Sequence, residues 1–245
     1  MGDGMDTEKS RLKPVLITFT TIVVFCLALA FFWRVFSFYR QIQNGNFDYS
    51  ALKFDSTKVN SAALEKLSEG APGSGDLATD DDPSLGKKNA PVTIVEFADF
   101  GCPYSAEESY VVRAIAKAFP DDVRVIYRDF PIPELHPGAD IAAMGGECAK
   151  EQGKFWEYHD ALFSRPTEYT ADNLASYAED AGLDARAFSA CLASGKYESE
   201  VGKDLADGVK AGVVGTPTFF INGVKIEGDI PYSIFTEVIH AFLKK

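Results

Sequence analysis

Residues 92–105 read Val92-Thr93-Ile94-Val95-Glu96-Phe97-Ala98-Asp99-Phe100-Gly101-Cys102-Pro103-Tyr104-Ser105. The stretch from Val92 to Phe100 is apolar on both alternating faces and rich in Val, Ile and Phe, the pattern of a strand buried in the middle of a sheet. Pro103 falls where a helix would begin, a position at which its missing N–H costs nothing. Beyond it Ala106, Tyr110, Val111, Ala114, Ile115, Ala118 and Phe119 recur at helical spacing until Pro120 stops the run. Val123 to Phe130 is a second apolar strand. Strand, helix and strand in that order predict a right-handed βαβ unit with a parallel pair.

Downstream the pattern is helical: Ala139 to Gln152, Phe155 to Phe163, Ala171 to Ala181, Ala185 to Ala193 and Glu198 to Ala211, with Thr170 and Asp184 placed as N-caps. Thr218 to Ile221 and Val224 to Ile226 flank Asn222-Gly223, a hairpin with a type I′ turn. A last amphipathic helix carries Ile234, Phe235, Val238, Ile239, Phe242 and Leu243 on one stripe. The expected fold is α/β: a βαβ–ββα core over residues 91–245 with an all-helical insertion at about 138–211.

Upstream, Val15 to Trp33 is a run of 19 residues without a charged side chain. At about 1.5 Å per residue such a helix matches a bilayer's hydrocarbon thickness. The reading is one transmembrane anchor at 14–34 after a cytoplasmic N-terminus at 1–13. Lys9, Arg11 and Lys13 precede the run and Arg34 and Arg40 follow it, a small bias toward N-terminus-in. A signal peptide cleaved after Ala30 is the alternative, from Ala28-Leu29-Ala30. Either way the rest of the chain is exported. Residues 35–90 are polar, then rich in Gly, Pro, Ser and Asp, and read as a tether. Asp80-Asp81-Asp82 reads as a solvated run rather than a calcium site, because no Gly-containing ligand loop follows.

Composition narrows the partners. Lys and Arg number 24 against 36 Asp and Glu, for a net charge of -12. A chain of that sign repels phosphate backbones, so nucleic acid is not an expected partner. The histidines His136, His159 and His240 show no ligand spacing, so no metal is expected.

Four cysteines are too few for a disulfide scaffold. Cys26 falls in the apolar run. Cys148 and Cys191 lie in two helices of the insertion, and an exported chain favours a structural disulfide between them. Cys102 stands between a buried strand and the first turn of a helix. Unbonded N–H groups and the positive end of the helix dipole favour its thiolate. A thiolate is the species that attacks a disulfide.

The run from Val95 to Ser105 resembles the active-site segment of the DsbA-like thiol:disulfide oxidoreductases. Gly215-Thr216-Pro217 ahead of a strand is similar to that family's cis-proline loop, and the helical insertion to its elaboration of the thioredoxin fold. The resemblance covers about residues 85–245. It implies a nucleophilic Cys102, a buried acid at Glu96 that moves protons beneath the thiol, and a cis Pro217 lying against Cys102. It also implies substrate contacts through Pro103, Tyr104, Thr216 and Pro217, with an extended peptide pairing near Thr216. No cofactor is implied; the partners would be exported proteins containing Cys and a further thiol or redox partner.

One position departs from the family's Cys-x-x-Cys: the fourth residue is Ser105. Ser105 can donate a hydrogen bond to the thiolate but cannot resolve a mixed disulfide. Storage and donation of an internal disulfide are thereby in doubt. Isomerisation and thiol-driven reduction survive, as does a redox-silent peptide-binding module that keeps the groove. Tyr104 brings no positive charge, and Glu107 and Glu108 would oppose thiolate formation if near, so the thiol is expected to be only moderately acidic.

Overall fold

The computed structural model describes residues 77–165 and 169–244, together with Trp33. The candidate anchor at 14–34 lies outside the described residues, Trp33 apart, and no helix among the described residues is long and apolar enough to cross a membrane.

The elements are β1 (Ser84–Leu85), β2 (Val92–Ala98), α1 (Pro103–Ala118), β3 (Val123–Asp129), α2 (Ala139–Glu151), α3 (Phe155–Ser164), α4 (Ala171–Asp180), α5 (Ala185–Ser194), α6 (Glu198–Lys210), β4 (Thr218–Ile221), β5 (Val224–Glu227) and α7 (Tyr232–Leu243). One sheet of order β1-β3-β2-β4-β5 runs through the domain. β2 and β3 pair in parallel, Val92 opposite Val123, as the βαβ pattern requires. β4 lies antiparallel on the other side of β2, Glu96 opposite Phe219. β2 is thus central, which is why it needs no polar face. The β4–β5 turn takes positive φ at Asn222 and Gly223, as a type I′ hairpin demands.

Both sheet faces are covered. Ile94 and Val125 pack against Val112 and Ile115 of α1 and Phe235, Val238 and Ile239 of α7. Farther along that face, Ala98 and Tyr127 join the aromatic core of the insertion, with Phe155, Tyr158, Phe163 and Phe188. On the opposite face Val95, Phe97, Ile126 and Phe220 meet Val213, Leu77 and, more loosely, Leu205 of α6. Thr170 and Asp184 cap α4 and α5 through their side chains, as read from the sequence. Cys148 and Cys191 form a disulfide that ties α2 to α5 at a Cα separation of 5.9 Å. Closing that loop removes roughly 4 kcal/mol of unfolded-state freedom in the chain-entropy model.

Two expectations are corrected. The tether does not extend to residue 90. Leu77 is buried in the core, and β1 pairs antiparallel with the edge of β3. This strap is held by charge. Arg128, fully buried on β3, meets Asp82 at 3.3 Å, Asp207 at 2.9 Å and Asp204, and donates to the Leu77 carbonyl at 3.3 Å. Lys150 donates to the Asp81 carbonyl at 2.7 Å and Trp156 to that of Ser84 at 3.3 Å. The solvated reading of Asp80-Asp81-Asp82 fails at Asp82 alone, which is buried while its two neighbours are exposed. Second, α1 is rotated from the face its apolar residues suggested. Ser105, Glu108, Ser109, Val112 and Ile115 point inward, and Tyr110 is exposed.

Candidate active site

Cys102 is the N-cap residue of α1, with extended backbone (φ -81°, ψ 122°), and Pro103 opens the helix. Its own N–H donates to the Asp99 carbonyl at 3.0 Å, closing a tight turn out of β2. Across from it the Thr216–Pro217 peptide is cis. The Cys102 Sγ donates to the Thr216 carbonyl at 3.2 Å. The sheet brings these two segments together: β2 and β4 are neighbours, so the end of one and the start of the other lie at the same rim. Cys102 is 5% exposed and Tyr104, two residues on, is 61% exposed.

Ser105 is fully buried, and its Oγ accepts the Asp99 N–H at 3.5 Å. The expected hydrogen bond from Ser105 to the sulfur is not formed among the described residues. Ser105 faces inward on α1, toward the sheet, and the sulfur turns to the proline loop. Thr216 Oγ1 is buried with no hydrogen-bond partner.

Glu96 lies on β2, on the face that α1 covers. It is fully buried, neither carboxyl oxygen has a partner, and burial pushes its pKa up to about 8. Glu108, on the inward side of α1, is also fully buried. Burial first, then its hydrogen bond with Asp229, push it up to about 9. At neutral pH both are carboxylic acids, so the opposition to a thiolate expected from Glu108 is absent, and Glu107 is exposed to solvent.

Sequence reasoning passed over the brace that holds the turn. Asp99 is buried; its Oδ1 accepts Gly101 N–H at 2.7 Å, and its Oδ2 accepts Ile132 N–H at 2.9 Å and lies 2.8 Å from His136 Nδ1. Tyr169 donates to the Phe100 carbonyl at 2.6 Å. Gly101 is required here, because a Cβ would stand 2.4 Å from His136 Cβ. The Asp-x-Gly spacing is the signal for such a turn. Among the described residues Asp81, Asp82 and Glu200 bring carboxyl oxygens within 4.8 Å of one another. Arg128 and Lys203 already pair with Asp82 and Asp81, so these acids serve the strap.

A family model described as thioredoxin matches residues 78–241, and the chain belongs to the thioredoxin family. Its structural likenesses support thiol:disulfide oxidoreductase activity. BdbD of Bacillus subtilis, in its oxidised form, is 27% identical with a TM-score of 0.63, over 69% of this chain and 96% of that one. A thioredoxin-like oxidoreductase of Silicibacter pomeroyi is 28% identical with the same TM-score, 0.63, and the same coverages of 69% and 96%. Among curated relatives, the Na(+)/H(+) antiporter NhaA 3 of Salinispora tropica is 39% identical over 155 residues, 63% of this chain and 23% of that protein. The chain thus corresponds to about a quarter of such a relative.

Proposed function

We propose that the protein carries out single-thiol disulfide exchange on exported proteins, of the isomerase or reductase type. The observation that carries this is Cys102 Sγ, 3.2 Å from the carbonyl that precedes cis-Pro217, with Ser105 where a resolving thiol would stand. The Cys102 thiolate attacks a substrate disulfide, forming a mixed disulfide and releasing one substrate thiolate. That thiolate or another in the substrate then attacks the mixed disulfide, and Cys102 leaves. Isomerisation is redox-neutral; reduction oxidises a small external thiol to its disulfide. Thr216 presents backbone to an extended peptide, and Pro103, Tyr104 and Pro217 flank it.

The proposed location is extracytoplasmic, with the anchor at 14–34 in the membrane and the N-terminus cytoplasmic. The Cys148–Cys191 disulfide supports an oxidising compartment. The occurrence of a similar segment in membrane antiporters supports work at a membrane.

The second reading, a redox-silent binding module, draws on the 5% exposure of Cys102. Turnover of a scrambled-disulfide protein in the presence of a monothiol separates the two. Exchange reading: wild type active, Cys102→Ala inactive, and Ser105→Cys newly able to hold and donate a disulfide. Peptide binding without turnover, unchanged in Cys102→Ala, establishes the module instead.

A further inference from the structure

Cys102 is the only free cysteine among the described residues, so the bridge between Cys148 and Cys191 is the one place there that stores a pair of electrons as a disulfide. Its two ends are unlike. Cys148, in the last turn of α2, is 1% exposed and belongs to the aromatic core. Cys191, on α5, is half-buried. A cleft of about 470 Å³ opens beside the bridge, lined by Cys148 and Glu151 from α2, by Ala187, Ala190 and Cys191 from α5, and by Lys196 just beyond it. That volume is in the range that takes a small molecule. Lys196 and Glu151 pair at 2.6 Å with both side chains nearly half exposed. A wall that offers one cation and one carboxylate beside a disulfide complements a small thiol that carries both charges itself.

We propose that this cleft admits a small zwitterionic thiol, of the amino-acid or short-peptide kind, to Cys191, and that the bridge is a redox latch on α5. The inference goes beyond the exchange at Cys102 and does not depend on it. The ligand's thiolate attacks Cys191 Sγ, the bond to Cys148 breaks, and Cys148 leaves as a thiolate that takes up a proton. A second ligand thiolate attacks the ligand sulfur of the mixed disulfide, and Cys191 leaves and is protonated in turn. Two small thiols are oxidised to their disulfide, the protein bridge is reduced to two thiols, and the two protons the ligands gave up replace those the cysteines took. Access selects Cys191 as the sulfur attacked, since Cys148 is shielded by the core. The negative end of the α2 dipole disfavours the departing Cys148 thiolate, so the latch opens slowly.

Opening it has a local consequence. α5 sends a single fully buried side chain inward, Phe188, whose ring lies 5.1 Å from that of Tyr158. Its first turn is tied to α2 through Gln152, which accepts the Asp184 N–H at 2.8 Å and donates to the Asp184 carbonyl at 3.3 Å. The bridge is what fastens the second half. Reduction therefore loosens α5 from Cys191 onward and leaves Phe188 and the first turn in place.

The test uses the full chain in detergent, without denaturant, in wild type, Ala187→Leu, Ala190→Leu and Lys196→Gln. Both alanines are exposed on α5, so leucine fills the cleft without entering the core. Each protein meets reduced glutathione or the uncharged 2-mercaptoethanol, is quenched with acid, alkylated, and mapped by mass at every cysteine. Glutathione should open the wild-type bridge, and each leucine variant should slow this about tenfold. Lys196→Gln should slow glutathione and leave 2-mercaptoethanol unchanged. Oxidised glutathione should load Cys191 in Cys148→Ser faster than Cys148 in Cys191→Ser. Hydrogen exchange should rise over the second half of α5 after reduction. A bridge that opens only in denaturant overturns the proposal, as do wild-type rates in both leucine variants or faster loading of Cys148. Equal slowing of both thiols in Lys196→Gln overturns the zwitterionic ligand, and unchanged exchange in α5 overturns the latch.

Discussion

Two sets of buried acids lie on opposite faces of one sheet, and they are solved in opposite ways. Asp82 and Asp204 surround Arg128, whose guanidinium they share with Asp207. Glu96 and Glu108 have no cation and stay protonated. The shared guanidinium fixes geometry, although burial and the neighbouring Asp204 still push Asp82 up to about 6. A neutral buried acid is a proton held in reserve. The first set fastens the strap to the domain; the second lies on β2 and on the inward side of α1. Residue type is the same, and the partner supplied by the neighbouring strand or helix decides the role.

The contrast breaks most severely when the cation is removed. Arg128→Leu leaves Asp82 and Asp204 buried without compensation, and a loss of about 3–5 kcal/mol is expected in denaturant unfolding. An unchanged midpoint would mean the strap is held by other contacts. The other face responds with the opposite sign. The folded state keeps the Glu96 proton up to about pH 8, whereas the unfolded chain loses it near the ordinary value of 4.5. This raised acid therefore makes stability fall as pH climbs from about 4.5 to about 8. Glu96→Gln removes that term, so it should stabilise the protein by up to about 3 kcal/mol at pH 7 and by little at pH 4. Thermal unfolding at the two pH values checks it, and equal gains at both contradict the buried-acid assignment.

The smallest effect sharpens the comparison at the active-site turn, where Asp99 accepts from Gly101 and Ile132 and meets His136. Asp99→Asn replaces one acceptor by a donor facing a donor, at a cost of about 1–2 kcal/mol. Alkylation of Cys102 should slow or quicken several-fold as the turn loosens. Identical alkylation kinetics would show that the turn is set by its backbone alone.

The elements with periodic apolar patterns were legible in the sequence. β2, the helices of the insertion and the hairpin lie within a residue or two of where the pattern put them, because burial on one face imposes the spacing. The strap was not legible. Leu77 and Leu85 are isolated apolar residues in a polar stretch, and what binds the segment is an arginine 40-odd residues away together with donors to three carbonyls. Backbone carbonyls leave no trace in a sequence. At the site, Cys102 stands out by its position and Pro217 through the family resemblance, but Asp99 and His136 meet only because the chain folds back. Glu108 reads from the sequence as a charge that would oppose the thiolate if near, although its spacing to Val112 and Ile115 places it on their buried face.

β1 is only two residues long, yet it occupies the flank of β3, whose seven residues are all buried. Pro83 extends the cover by accepting the Tyr127 N–H at 3.0 Å. Trimming the protein to residue 86 would bare a long apolar strand edge, an invitation for one copy to add its own strand to another. Truncated versions meant to stay monomeric should therefore begin ahead of Leu77.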